Sequence, residues 1–283
     1  MLHFKIRLKQ PRYQQQSRLS SAMRCLVLGT LLVGAPAALA IQYKPTNPSP
    51  YQGQTKPGAV RGGCSSNQKP GLTALAPIGH VGKTISSRPK LAWFIPDSKS
   101  YPAILKLYQY SEAQKWKLVS ELSLQSQPGV MQEVFPQDLA IGQVYTWQII
   151  VDCIPGNPSA RLADEGQIQR VDPSSALTKK LSSAPTALAK AEIYASEDFW
   201  YDALTESLTV TQNIPSQSPS SDLLSSLVDL EQPLLQELLK KVESLKLNCK
   251  SLKLDKDQKS LCTDKAAVEN RINNLGGILK KLK

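Results

Sequence analysis

Between Leu72 and Val171 the apolar residues fall in short runs, often alternating with polar ones, and Pro, Gly and Ser fill the gaps. Lys90–Ile95 (KLAWFI) is bounded by Pro89 and Pro96. Residues 103–110 (AILKLYQY) and 116–122 (WKLVSEL) flank a connection of hairpin length, and 130–135, 143–151 and 166–171 follow. Strands this short, with no helical period between them, predict an antiparallel β-sandwich over 72–172. After Asp172-Pro173 the period changes. Residues 184–195 and 198–210 are helix-length segments, with small residues at Ala187, Ala191 and Ala195 on one face of the first. They read as one helix-turn-helix unit, 184–212, which cannot bury its apolar face alone. The run Phe199-Trp200-Tyr201 is therefore expected to pack on the sheet rather than form a binding hot spot.

The centre of the β pattern is 139–153 (LAIGQVYTWQIIVDC). Alternation puts Tyr145, Trp147, Ile149 and Val151 on one face. The spacing Leu139, Gly142, Tyr145 resembles the corner before strand F of immunoglobulin-like and fibronectin-type sandwiches, where a tyrosine hydroxyl bonds back to upstream backbone. Tyr145 is thus a structural residue and Trp147 a core residue in this reading. The fold class expected is α+β: an N-terminal immunoglobulin-like antiparallel β-sandwich, then a helical pair, then a C-terminal αα-hairpin.

A linker, 213–221, precedes that hairpin, 222–283. Leu224, Val228, Leu235, Leu238, Val242, Leu245, Cys249 and Leu252 keep a 3–4 spacing that Glu231 interrupts. Leu261, Val268, Ile272, Leu275, Leu279 and Leu282 resume it, with Lys265 as the exception. In one unbroken helix Cys249 and Cys262 would lie ~20 Å apart, beyond the reach of a disulfide. A turn near Asp255-Lys256 would bring them opposite each other, which predicts a coiled-coil-like hairpin clipped near its tip.

The N-terminus changes the compartment. A basic segment ending at Arg24, an apolar run from Cys25, and Ala38-Leu39-Ala40 have the order of a cleavable signal peptide, 1–40. The protein is accordingly expected to be exported, to periplasm or beyond, with no stable membrane span after cleavage. Cleavage would lower the net charge from +11 to +5, leaving 28 basic residues against 23 acidic. A surplus that small and that spread argues against nucleic-acid binding. It also leaves four cysteines, an even number in an oxidising compartment. Three pairings are open; Cys64 with Cys153 and Cys249 with Cys262 are the natural ones. Residues 41–71, rich in Pro, Gly, Ser and Gln, read as a flexible leader.

Several motifs in order, Arg61-Gly62-Gly63-Cys64, LTALAP from Leu72, RPKLAWFIP from Arg88, GQVYTWQIIVDC from Gly142 and AEIYASEDFWYDALTESL from Ala191, resemble the cyanobacterial domain-of-unknown-function family 928 over residues 61–208. The resemblance implies an exported cyanobacterial protein and no defined activity, and it stops short of residues after Pro215.

Catalytic chemistry has few candidates. His80 is the one histidine left after cleavage, and its turn-like setting, PIGHVGK, reads as an exposed loop. No P-loop, GxGxxG, HExxH or GxSxG pattern occurs. Asp164-Glu165 and Glu197-Asp198 are adjacent carboxylates; the first pair would diverge across a strand and the second would serve a helix start. No catalytic residue, metal site or cofactor is expected. The leading expectation is an exported, non-enzymatic interaction or scaffold protein, engaging a protein partner or itself through the C-terminal helices. A carbohydrate- or envelope-binding module using Trp93, Trp116 and Trp147 is the alternative, and a hydrolase using carboxylates alone the third.

Overall fold

The computed structural model describes residues 40–52, Cys64, 69–111, 116–213, 218–251 and 253–282. The leader pattern up to Leu39 and most of 53–68 lie outside the described residues. The fold is α+β. Its strands are β1 (Thr73–Ala74), β2 (Gly82–Thr84), β3 (Lys90–Ile95), β4 (Pro102–Tyr110), β5 (Trp116–Gln125), β6 (Gly129–Val134), β7 (Val144–Asp152) and β8 (Arg161–Arg170). One sheet has the order β1-β3-β6, the other β2-β8-β7-β4-β5. All neighbours are antiparallel except β2 and β8, which pair in parallel. That edge corrects the expectation of a wholly antiparallel arrangement; β1 and β2 are too short to show a period in sequence.

The two sheets meet through Trp93 of β3 and Trp147 of β7, fully buried with ring centroids 6.5 Å apart. Tyr145, Ile149 and Val151 are buried on the same face as Trp147, as alternation requires. The Tyr145 hydroxyl accepts a hydrogen bond from the Ala140 amide at 3.1 Å. Gly142 turns the chain with φ of 75°, a conformation that favours glycine. Opposite Trp147 in the ladder stands Gly166. A Cβ there would come within 2.5 Å of the Ala76 Cβ and 3.0 Å of the Trp147 indole nitrogen, so only glycine lets the segment just after β1 close over the ring.

Among the described residues five helices follow: α1 (Ser175–Ser182), α2 (Ala187–Ser196), α3 (Trp200–Asn213), α4 (Pro219–Ser244) and α5 (Lys256–Leu282). Ser174 and Thr186 cap α1 and α2 by accepting from the amides of Leu177 and Ala189. Ala191 and Ala195 are wholly buried. The Trp200 indole donates to the Leu75 carbonyl at 2.9 Å, and the Tyr201 hydroxyl donates to the Gln167 carbonyl at 2.9 Å. Trp200 and Tyr201 thus satisfy their polar handles on the sheet side.

Residues 40–52 correct the flexible-leader expectation over their length. Ile41 and Tyr43 are buried in the main core. The Lys44 amide donates to the Ala195 carbonyl, the Val81 amide to Ser49, and Gln52 exchanges two hydrogen bonds with the Gln167 side chain. Average composition missed this because two apolar residues at i and i+2 suffice to anchor an extended strap.

The hairpin also differs from its expected shape. α4 stops at Ser244, not beyond Cys249. Lys246 takes a left-handed conformation with φ of 49°, its amide and that of Leu247 bonding back to Glu243 and Val242. Residues 245–251 and 253–255 lie outside both helices, and α5 opens on reciprocal bonds between Asp255 and Gln258.

Candidate functional site

The four cysteines among the described residues form two pairs, Cys64 with Cys153 at an S–S distance of 2.03 Å and Cys249 with Cys262 at 1.97 Å. The first ties the segment before β1 to the end of β7; the second fastens the α4–α5 connection to α5.

Three polar constellations lie inside or against the body. The first centres on Arg271 of α5, a buried arginine on the apolar stripe. Its guanidinium donates to the carbonyls of Ala74 and Ala76 and lies 3.6 Å from the Asp164 carboxylate and 3.8 Å from that of Glu231. Asp164 also accepts from the Ala74 amide, and Glu231 from the Ile78 amide. Burial pushes the two carboxyls up, to about 6 and about 7, and Arg271 opposes the rise. Glu165 points the other way, toward Gln148, and burial raises it to about 7.

The second is a chain of hydrogen bonds around the strap. The Tyr43 hydroxyl lies 2.7 Å from His80 Nε2 and donates to Asp198 at 2.8 Å. Asp198 holds Lys83 at 2.6 Å through its other oxygen, in a left-handed conformation with φ of 71°. His80 is therefore buried, not an exposed loop residue, and burial lowers its pKa. Glu197, expected at a helix start, instead follows the end of α2 and pairs with Lys180.

The third is a half-open pocket of about 200 Å³ between the β2–β3 connection and α3. Thr84, Tyr194, Asp202 and Glu206 line it, with Arg88 and Lys90 at its rim. Asp202 accepts from the Thr84 hydroxyl and the Ile85 amide, and burial raises it to about 7. Tyr194 rises to about 12 through burial and the neighbouring Asp202 and Glu206.

Outside the body, α4 and α5 continue as an arm. Every fully buried residue of α4 lies at or before Glu231. Pro233, which has no amide hydrogen, stands two residues later. From 232 to 244 the helix adds about 20 Å, with Leu234, Leu235, Leu238, Leu239 and Val242 half-buried and Leu245 59% exposed.

Of the tryptophans named for sugar stacking, Trp93 and Trp147 are fully buried. Trp116 is half-buried and packs on Tyr110 with ring centroids 4.8 Å apart. Among the described residues no group of three His, Cys, Asp or Glu side chains could hold a metal ion, and no helix is long and apolar enough to cross a membrane.

Arg271, Tyr43 and the pocket around Asp202 were not picked out from sequence. Arg271 had a usable mark: it sits among Val268, Ile272 and Leu275 on the apolar face of α5, and it meets Glu231, which interrupts the facing stripe.

Fold and site together define a disulfide-clipped α+β domain bearing a helical arm. A family model described as Domain of Unknown Function (DUF928) matches residues 56–242, and the chain belongs to that family. The match runs well past the 61–208 of the resemblance and takes in nearly all of α4, so α5 alone among the elements lies wholly beyond it. No curated protein matches the chain.

Proposed function

We propose that this is an exported, non-enzymatic interaction protein in which the body is a rigid platform and the α4–α5 arm carries the contact surface. The observation that supports it most directly is the change of character at Glu231. Before it the helix is buried in the body; after it the leucine stripe continues only half-buried and ends on the exposed Leu245. A two-helix arm can bury one row of leucines between its helices but not a second row beside it. The inward carboxylates favour the same reading. Asp164, Glu231, Asp198 and Asp202 are each engaged in bonds that join separate segments of the chain, which leaves them poor candidates for hydrolysis. Two cysteine pairs and the leader pattern favour export. The Tyr145 corner bond and the two sheets favour an immunoglobulin-like sandwich for the body.

Replacing residues 236–266 with a short Gly-Ser turn tests the proposal. The body should keep its far-ultraviolet spectrum and its Cys64–Cys153 bond, while self-association by light scattering or crosslinks to envelope components disappear. An unchanged mass together with an unchanged crosslinking pattern overturns it.

A second reading, carbohydrate binding, is favoured by one observation: the pocket over α3 combines two carboxylates, a tyrosine ring and a threonine hydroxyl in about 200 Å³. Asp202→Ala abolishing retention on an envelope polysaccharide would favour it over the arm.

A further inference from the structure

We infer that the tip of the arm docks on anionic lipid surfaces, as a peripheral contact that does not cross the bilayer. The inference rests on the arm being the contact surface and names what it contacts. Between Lys240 and Lys259 the tip carries seven lysines, Lys240, Lys241, Lys246, Lys250, Lys253, Lys256 and Lys259, against three acids, Glu243, Asp255 and Asp257. All seven lysines are exposed. Among the described residues only Lys241 of the seven stands in an ion pair, with Glu237. Asp255 is already engaged with Gln258 at the start of α5.

So many like charges on one short connection repel each other and favour its spreading. The tip resists that in two ways. Lys246 closes the end of α4 in its left-handed turn, and Cys249 is tied back to Cys262. The lysines are therefore gathered as one cluster rather than strung along a loose loop. Amid them Leu245 is, at 59%, the most exposed large apolar side chain among the described residues, with Leu247 and Leu254 half-buried nearby. Clustered lysines beside a protruding leucine match an anionic headgroup layer over an apolar phase: ammonium groups reach phosphates while their stems and the leucine meet acyl chain. A nucleic acid would match the charge and leave the leucine in water.

The test uses the full mature chain and vesicles of phosphatidylglycerol in phosphatidylcholine, with phosphatidylcholine alone as the reference. The protein should sediment with the anionic vesicles only, and less so as salt rises. Lys246→Gln with Lys250→Gln should weaken partitioning by roughly ten- to thirtyfold. In a Leu245→Trp variant, emission should shift to the blue on adding anionic vesicles. No sedimentation at low salt overturns the inference, as does a charge variant that binds like the parent. An unshifted Leu245→Trp spectrum combined with equal competition by soluble polyglutamate also overturns it, and assigns the tip to acidic polymers instead. If vesicles fail while the 236–266 replacement still abolishes self-association, the arm stays the contact surface and only its lipid assignment falls.

Discussion

Arg271 on α5 and Asp164 on β8 face each other at 3.6 Å inside the protein, 107 positions apart in sequence, their side chains only 5% and 10% exposed. The same guanidinium reaches Glu231 on α4 and two carbonyls beside β1. One side chain therefore joins both long helices to both sheets. Since α5 lies beyond the family match, a region outside that match supplies the counter-charge for two carboxylates inside it.

Removing the cation while leaving the anions strands two buried carboxylates. Arg271→Met should destabilise the protein by roughly 3–5 kcal/mol in urea unfolding. Adding Asp164→Asn and Glu231→Gln to that variant should recover a large part of the loss, because the uncompensated charges go with the mutation. A single variant as stable as the parent would show that the network contributes little.

The pH dependence follows from four carboxyls raised by burial: Asp164 to about 6, and Glu165, Asp202 and Glu231 to about 7. Between the unfolded value near ~4 and these folded values the native state holds more protons than the unfolded one. Stability should therefore fall as pH rises through this window and level off above the folded values. His80, lowered by burial, works in the opposite direction, since its native form resists protonation that the unfolded chain accepts. Four groups against one leave the fall dominant. Asp202→Asn should flatten the slope while its carbonyl oxygen still accepts from the Ile85 amide and its NH2 donates to the Thr84 hydroxyl in place of the second carboxylate oxygen. Urea midpoints for parent and variant, compared across this window, give the sign directly.

How far the chain was readable depends on range. The strands from β3 to β8 were legible as short apolar runs set off by Pro, Gly and Ser, and in β4 and β7 alternate core residues give a period of two that needs only neighbours in sequence. The cysteine pair 249/262 was legible because reach alone excludes an unbroken helix. Tyr43 and His80 were not, since nothing local distinguishes a tyrosine in a Pro-rich stretch from one that crosses the fold to Asp198. The end of α4 at Ser244 escaped for a related reason. Leu245 through Leu252 keep the helical spacing, and the turn at Lys246 has no glycine to mark it.

Gly166 is a place where packing leaves no latitude. Gly166→Ala would drive a methyl into Ala76 and the Trp147 ring, at a cost of about 1–3 kcal/mol. Near-ultraviolet circular dichroism should also change, because Trp147 would have to move from its hydrogen bond to Tyr201. Gly156, with nothing within 4 Å of an added Cβ but a φ of 81°, serves as a comparison in which only backbone strain applies.

The two cysteine pairs should contribute unequally. Closing 89 residues between Cys64 and Cys153 removes more freedom from the unfolded chain than closing 13 between Cys249 and Cys262. The chain-entropy relation gives about 4–5 kcal/mol for the first and about 3 for the second. Cys153→Ser should lower stability more than Cys249→Ser in urea unfolding, whereas the latter should loosen the tip and weaken vesicle binding. Equal losses would mean that native packing, not loop closure, sets both contributions.

The strap supplies the last prediction. Tyr43 is buried, its ring edge-on to Trp200 at 5.0 Å and its hydroxyl placed between His80 and Asp198. Tyr43→Phe would keep the ring and remove the hydroxyl. His80 Nε2 and one oxygen of Asp198 would then lose a partner in a site that water reaches poorly, and Lys83 alone would hold Asp198. Stability should drop by about 1–3 kcal/mol. The loss should be local before it is global: amide exchange should quicken first at Lys44 and Val81, whose backbone bonds hold the strap to α2 and to β2's approach, while the amides of β7 stay protected. Quickening spread evenly over the sheets would instead make Tyr43 an ordinary core residue, and the strap no separate unit.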